Sequence, residues 1–143
     1  MKSRPVKIFR TFDFFTIVKL NDVIFPSDPL HYHQYGHYWL VKDGKENIGF
    51  CAMHFLVNTG EHDTVFLSRS GVYSRYRKNG IGKRLIRTRL KEAKKLGAKF
   101  AISYTIDNVA SSNNLISQGF RLYNPHYQYG GDKALHWIKS LDK

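Results

Sequence analysis

The sequence predicts a mixed α/β fold, a central sheet flanked by helices, and three observations point there. Strand-like and helix-like runs alternate along the chain, a strong amphipathic helix signal at residues 80–96 sits between two β-rich segments, and glycines stand where the helical runs stop. With 143 residues, 42% of them hydrophobic and 15% aromatic, the chain can bury a real core and lacks the composition of a disordered one. A single domain over residues 1–143 is expected.

The elements follow in order. "PVKIFR" is a first short strand. "TFDFFTIVKLNDVIF" is helical, with Phe12, Phe15, Val18 and residues 19–23 at helical spacing and Thr11 as the expected N-cap. Two prolines in "PSDPLHYHQYG" break it and begin an aromatic, histidine-rich loop. "HYWLVKDGKENIGFCAMHFLV" is a hairpin turning at Asp43-Gly44, and "TVFLSRSGVY" is a strand interrupted near its end by Gly71. In "GIGKRLIRTRLKEAKKL" the apolar face is Ile81, Leu85, Leu90 and Ala93, and Gly97 ends the helix. "KFAISYTI" is a buried-type strand and "NVASSNNLISQG" a short helix closed by Gly119. "FRLYN" and "KALHWIKSL" are the last strands, around the turn-rich "PHYQYGGD". The predicted order is β-α-β-β-β-α-β-α-β-β.

Composition narrows the function classes. No apolar run approaches the roughly 20 residues that span a bilayer, so no membrane role is expected. The basic start "MKSRPVKIFR" is not followed by a signal-type apolar stretch, and the lone Cys51 forbids an internal disulfide framework. A cytoplasmic location follows as an expectation (a host's cytoplasm, for a phage-encoded chain). The net charge is +12, and ten of the 23 Lys and Arg residues lie between Arg75 and Lys95. Such a concentration fits an anionic partner or a wet helix face.

The stretch "YRKNGIGKR", residues 76–84, bears directly on that anion. It joins a strand to a helix, whose first amides lack intrahelical partners and whose macrodipole adds partial positive charge. Glycines admit a phosphate close to the backbone, and Arg77, Lys78 and Lys83 add full charges. A P-loop would need Ser or Thr after Lys83, where Arg84 stands, and a glycine at 77. A dinucleotide fingerprint would need a glycine at 85, where Leu stands.

The remaining pattern, Arg77, Gly80 and Gly82 as Arg-x-x-Gly-x-Gly, resembles the acetyl-CoA loop of the GNAT superfamily of N-acetyltransferases. Val72 stands five residues before Arg77, and "DNVASSNNLISQGF" supplies Asn108 and Gly119-Phe120 at the spacing this family uses. The element order matches over nearly the full chain. The resemblance implies a sheet of about six to seven strands, splayed between the fourth and fifth, with pantetheine lying in that gap. It implies backbone contact at Val72, and pyrophosphate held by the amides of Lys78, Asn79, Gly80, Ile81 and Gly82. Arg77 and Lys83 would be charge partners, with Asn108 and Asn113 near the pantetheine arm or adenine. The co-substrate would be acetyl-CoA, with no metal, and the acceptor a primary amine on a small molecule or protein, acetylated directly in a ternary complex.

The chain departs from the family at the usual positions of both the general acid and the general base. The family often supplies a proton from a Tyr five residues before the Phe of Gly-Phe, and here that position is Leu115. Ser111 and Ser112, one turn earlier on the same face, and Tyr104, on the preceding strand, are candidate substitutes. No acid stands in "TVFLSRSGV"; Glu61 and Asp63 precede it. His31, His33, His37, His54 and His126 have a suitable intrinsic pKa for taking a proton from an amine.

The acceptor is expected among "HYHQYGHYW" and "NPHYQYGG", where Tyr32, Tyr35, Tyr38, Tyr127 and Tyr129 would form an aromatic wall. Asp28 and Asp132 are the acids there, too few for a polycation. A catalytically weakened CoA-binding module is the alternative reading, since Leu115 removes the usual acid. The stripe Arg84, Arg87, Lys91 and Lys95 suits an acidic protein partner; as no nucleic-acid motif accompanies it, a nucleic-acid ligand is not expected. The assembly is expected to be a monomer or homodimer.

Overall fold

The structure, a computed structural model, describes residues 6–33, 36–56 and 61–142. The elements run β1 (Lys7–Thr11), α1 (Phe14–Ile24), β2 (Gly36–Asp43), β3 (Glu46–Leu56), β4 (Glu61–Val72), a 3-10 turn (Ser74–Tyr76), α2 (Ile81–Lys95), β5 (Phe100–Thr105), α3 (Val109–Ser117), β6 (Arg121–Leu122) and β7 (Leu135–Ser140). That is the predicted order. The seven strands form one mixed sheet, β1-β2-β3-β4-β5-β7-β6. The chain makes two compact units: one holds the residues up to His54 with Ser68–Leu85, the other Phe55–Leu67 with the residues from Ile86 onward.

In the first unit β1, β2 and β3 pair antiparallel, Lys7↔Lys42 through Thr11↔Tyr38 and Gly36↔His54 through Asp43↔Glu46. Gly44, at φ +61, makes the expected turn. Helix α1 packs Ile17 and Leu20 on Tyr38, Leu40, Phe50 and Ala52, with Phe14, Ile24 and Phe25 around them. Two details of α1 correct the sequence reading. The N-cap is Asp13, whose carboxylate accepts from the Thr16 amide (3.2 Å) and hydroxyl (2.6 Å), while Thr11 Oγ1 accepts from the Asp13 amide. An aspartate there also complements the helix dipole, which threonine cannot do. The buried stripe is Ile17, Leu20 and Asn21 with the half-buried Phe14 beside it, whereas Phe12 is 88% and Phe15 69% exposed. Five aromatic and aliphatic residues among positions 12–18, broken only by Asp13 and Thr16, allowed either phase.

In the second unit β4 and β5 run parallel, Thr64↔Phe100 through Phe66↔Ile102, and β5 pairs antiparallel with β7, Phe100↔Ser140 through Thr105↔Leu135. The parallel pairing ends at Phe66, although β4 runs on to Val72; this is the expected parting of the fourth and fifth strands. Helices α2 and α3 end in the same way. Gly97 and Gly119 sit at φ +88 and +92. The amide of the next residue reaches back five, Ala98 to the Ala93 carbonyl (2.9 Å) and Phe120 to that of Leu115 (3.0 Å). These are Schellman caps, each closed by a buried apolar pair. Among the described residues no helix is long and apolar enough to cross a membrane.

Candidate active site

In the first unit, β4 ends at Val72 and the chain turns through Ser74–Tyr76 before α2. Arg77 is extended, Lys78 adopts a left-handed conformation at φ +67, and Gly80 does the same at φ +75. At Gly80 this dihedral favours glycine, which adopts it without the cost that Lys78 bears, and a Cβ there would meet nothing within 4 Å. The first intrahelical bond runs from the Arg84 amide to the Gly80 carbonyl (3.3 Å). The amides of Ile81, Gly82 and Lys83 precede it, as an anion cradle requires. Ile81 can offer only its amide, because its side chain is buried. Arg77, Lys78, Asn79 and Lys83 are exposed. Val72 and Arg77 line one groove of about 370 Å³ with Tyr73 and with Val23 and Ile24 of α1.

The first turn of α2 contains no acid, yet carries Lys83 and Arg84 at the positive end of the helix dipole. That opposes the local rule for helix starts, and a bound anion would reverse the penalty. Arg84 departs from expectation. Its Nη2 donates to the Val6 carbonyl (3.0 Å), so it ties the chain start to α2 and does not belong to the outward stripe.

The turn before the loop is pinned to the β2–β3 hairpin. The Tyr76 hydroxyl donates to Asp43, which raises the tyrosine's pKa, and Arg75 Nη2 donates to Glu46 at 2.6 Å. The Arg75 guanidinium also lies over the Tyr73 and Tyr76 rings, 5.4 and 5.0 Å from their centroids. The bonds to Asp43 and Glu46 were not visible in the sequence, since those partners lie 33 and 29 residues away.

The aromatic loop of this unit differs from the expected wall. Tyr38 is buried, with its hydroxyl oxygen accepting from the His33 amide (3.2 Å), and packs edge-on against Phe14. Burial raises its pKa. Tyr32 stays 66% exposed, while Tyr35 lies outside the described residues, as does the Glu61 side chain. His33 and His54 stack with centroids 4.0 Å apart. Burial, then the charge of His33, pushes His54 down to about 4, and burial lowers His33. Both are therefore neutral bases at neutral pH. His31 and His126 are exposed and His37 is half-buried. Beneath this loop Arg69 donates to Asn21 Oδ1 (2.8 Å), the Asp28 carbonyl (2.8 Å) and the Asp28 carboxylate (2.7 Å). The sequence offered no sign of that latch.

In the second unit Asn108 is the N-cap of α3, accepting from the Ser111 amide at 2.9 Å. Its side-chain oxygen thus holds the helix, and Asn113 is exposed one turn on. Ser112 Oγ lies 2.9 Å from Thr105 Oγ1, which accepts from Trp137 Nε1 at 3.0 Å. Leu115 is buried. Tyr104 stacks on Phe66 and lies near His136, and a Cβ at Gly130 would strike its ring. Tyr127 and Tyr129 pack on one another, with Tyr129 also against Phe66. Thr105 and Trp137 escaped the sequence reading; a tryptophan in a strand needs an acceptor, but the sequence does not say which.

Fold and loop define a class that comparison with known proteins makes explicit. The model of the acetyltransferase (GNAT) family matches residues 9–120. The chain belongs to that family of acetyl-transferring enzymes. No protein of curated function matches its sequence significantly. Its fold is similar to that of an IAA acetyltransferase from Bacillus cereus (TM-score 0.76, 19% identity, 95% of this chain and 99% of that one). It is likewise similar to the ribosomal-protein-S18-alanine N-acetyltransferase of Escherichia coli (TM-score 0.76, 15% identity, 97% and 96%). A third likeness is to a GNAT family acetyltransferase from Elizabethkingia anophelis solved with acetyl-CoA bound (TM-score 0.70, 16% identity, 94% and 97%).

Proposed function

We propose that the protein is a single-domain N-acetyltransferase, residues 1–143, that moves an acetyl group from acetyl-CoA to a primary amine by direct transfer in a ternary complex. The observation that carries this reading is the helix start at Gly80. It combines a left-handed glycine over open space, three amides ahead of the first helical bond, and cations at 77, 78 and 83 that have no carboxylate partner among the described residues. These groups fit a pyrophosphate: the amides of residues 78–82 would bind it, with Arg77 and Lys83 as charge partners. Bound acetyl-CoA supplies the acyl group and a thiolate that can leave. Val72 would offer backbone to the pantetheine arm.

The buried Leu115 favours a second reading, a CoA-binding module with weakened chemistry. Incubation with isotope-labelled acetyl-CoA, a panel of amines and a cell lysate, followed by mass spectrometry, separates the two. Label transferred above a Gly82→Asp background supports the enzyme; cofactor binding without any transfer supports the module. The exposed cations Arg87, Lys91 and Lys95 on α2 fit an acidic protein partner. The protein is proposed to act in the cytoplasm as a monomer or homodimer.

A further inference from the structure

The bonds around Thr105 decide where one proton points. Trp137 Nε1 donates to Thr105 Oγ1, and that oxygen lies 2.9 Å from Ser112 Oγ. An indole nitrogen can only donate, whereas a hydroxyl has one proton and two lone pairs. Thr105 and Trp137 are 6% and 5% exposed, and among the described residues Thr105 Oγ1 has no third partner. Were Ser112 to donate to Thr105, the threonine's own proton would be stranded in a buried place without an acceptor, which is strongly disfavoured. The reverse order leaves every buried group paired. The indole donates to Thr105, Thr105 donates to Ser112 Oγ, and the half-buried Ser112 keeps its proton for an outside acceptor. A chain of donors in one direction also polarises its last member.

We infer that Thr105 and Trp137 are positioning residues which fix the Ser112 hydroxyl as an outward hydrogen-bond donor, and that Ser112, rather than Ser111 or Tyr104, meets the negative charge that develops in acetyl transfer. The inference rests on the acetyl-transfer reading above. In that reaction a C–N bond forms to the acyl carbon. The C–S bond breaks with its electron pair left on sulfur, and the amine's proton passes to solvent. The Ser112 hydroxyl lends a hydrogen bond and retains its proton. Ser111 is engaged through its amide, with no partner orienting its hydroxyl among the described residues, and the Tyr104 ring is packed against Phe66.

The test begins without co-substrate. In a Ser112→Cys protein, a hydroxyl donating from Thr105 stabilises the thiolate. Alkylation of the introduced thiol, followed by peptide mass spectrometry, should then show a pH midpoint below the ordinary value of about 8.5. Adding Thr105→Val should raise that midpoint by roughly one unit, and Thr105→Ser, which keeps the hydroxyl, should leave it in place. A midpoint indifferent to Thr105→Val overturns the inference, as does a fall. In the natural background Thr105→Val should lower kcat about tenfold with KM for acetyl-CoA unchanged, and Thr105→Ser should restore it. A wild type that fails to bind acetyl-CoA refutes the acetyl-transfer reading and the Ser112 role with it; the alkylation result judges the hydrogen-bond direction on its own.

Discussion

Lys78 sits at φ +67, a conformation that costs a side-chain-bearing residue about 1 kcal/mol. It is exposed, so packing gives no reason for a lysine there. The strain is explained if its charge and amide serve an anion. Lys78→Gly should therefore raise stability by about 0.5 kcal/mol in urea unfolding while weakening acetyl-CoA binding several-fold; a loss of stability would show that the side chain is structural. Gly80 was legible in the sequence as a special residue, because a glycine between cations at a helix start has few other uses. The bond from Arg84 to the Val6 carbonyl was not legible: the residue looked like an outward charge, and its acceptor lies 78 positions away. Asn108 was legible as the start of α3, and its side-chain oxygen caps that helix by accepting from the Ser111 amide.

At the scale of elements, the order and ends of helices and strands were readable because period, turn and cap signals are local. Gly97 and Gly119 end their helices as their positions implied. What holds the elements in place was not readable, since it depends on pairs remote in sequence. Arg69 on β4 latches the loop after α1 through Asn21, which is fully buried, and Asp28. Arg69→Ala leaves the Asn21 amide oxygen without its donor and should cost about 2–3 kcal/mol in thermal or urea unfolding. A loss below about 0.5 kcal/mol would mean the latch is only a surface ion pair. Tyr76→Phe removes the bond to Asp43 and should lower the urea midpoint slightly, with a weaker hold on acetyl-CoA in calorimetric titration because the loop starts from that turn; unchanged affinity would mean the turn does not position the loop.

For the whole molecule, acid stability tests the half-buried, stacked pair of His33 and His54. His54 has an ordinary pKa of 6.5 unfolded and about 4 folded, because burial and then His33 disfavour its cation. The unfolded chain therefore takes up a proton before the folded one does. Stability is unaffected above about 6.5 and falls as pH drops toward about 4. Urea midpoints measured near pH 7.5 and near pH 4.5 should show this fall, and His54→Gln should flatten it; an unchanged slope in the variant would assign the effect elsewhere. The sequence exposed the fold through element order, and the glycine-started helix through glycine spacing. It hid the Trp137–Thr105–Ser112 chain because three residues from two strands and a helix converge only in the folded state.

The central claim is that the helix start at Gly80 holds the pyrophosphate of acetyl-CoA, and calorimetric titration tests it most directly. Wild type should bind acetyl-CoA saturably with a stoichiometry of about one, and Gly80→Asp and Gly82→Asp should each weaken binding by at least about tenfold. No heat of binding by the folded wild type at about millimolar acetyl-CoA, or equal affinity in both variants, would contradict it.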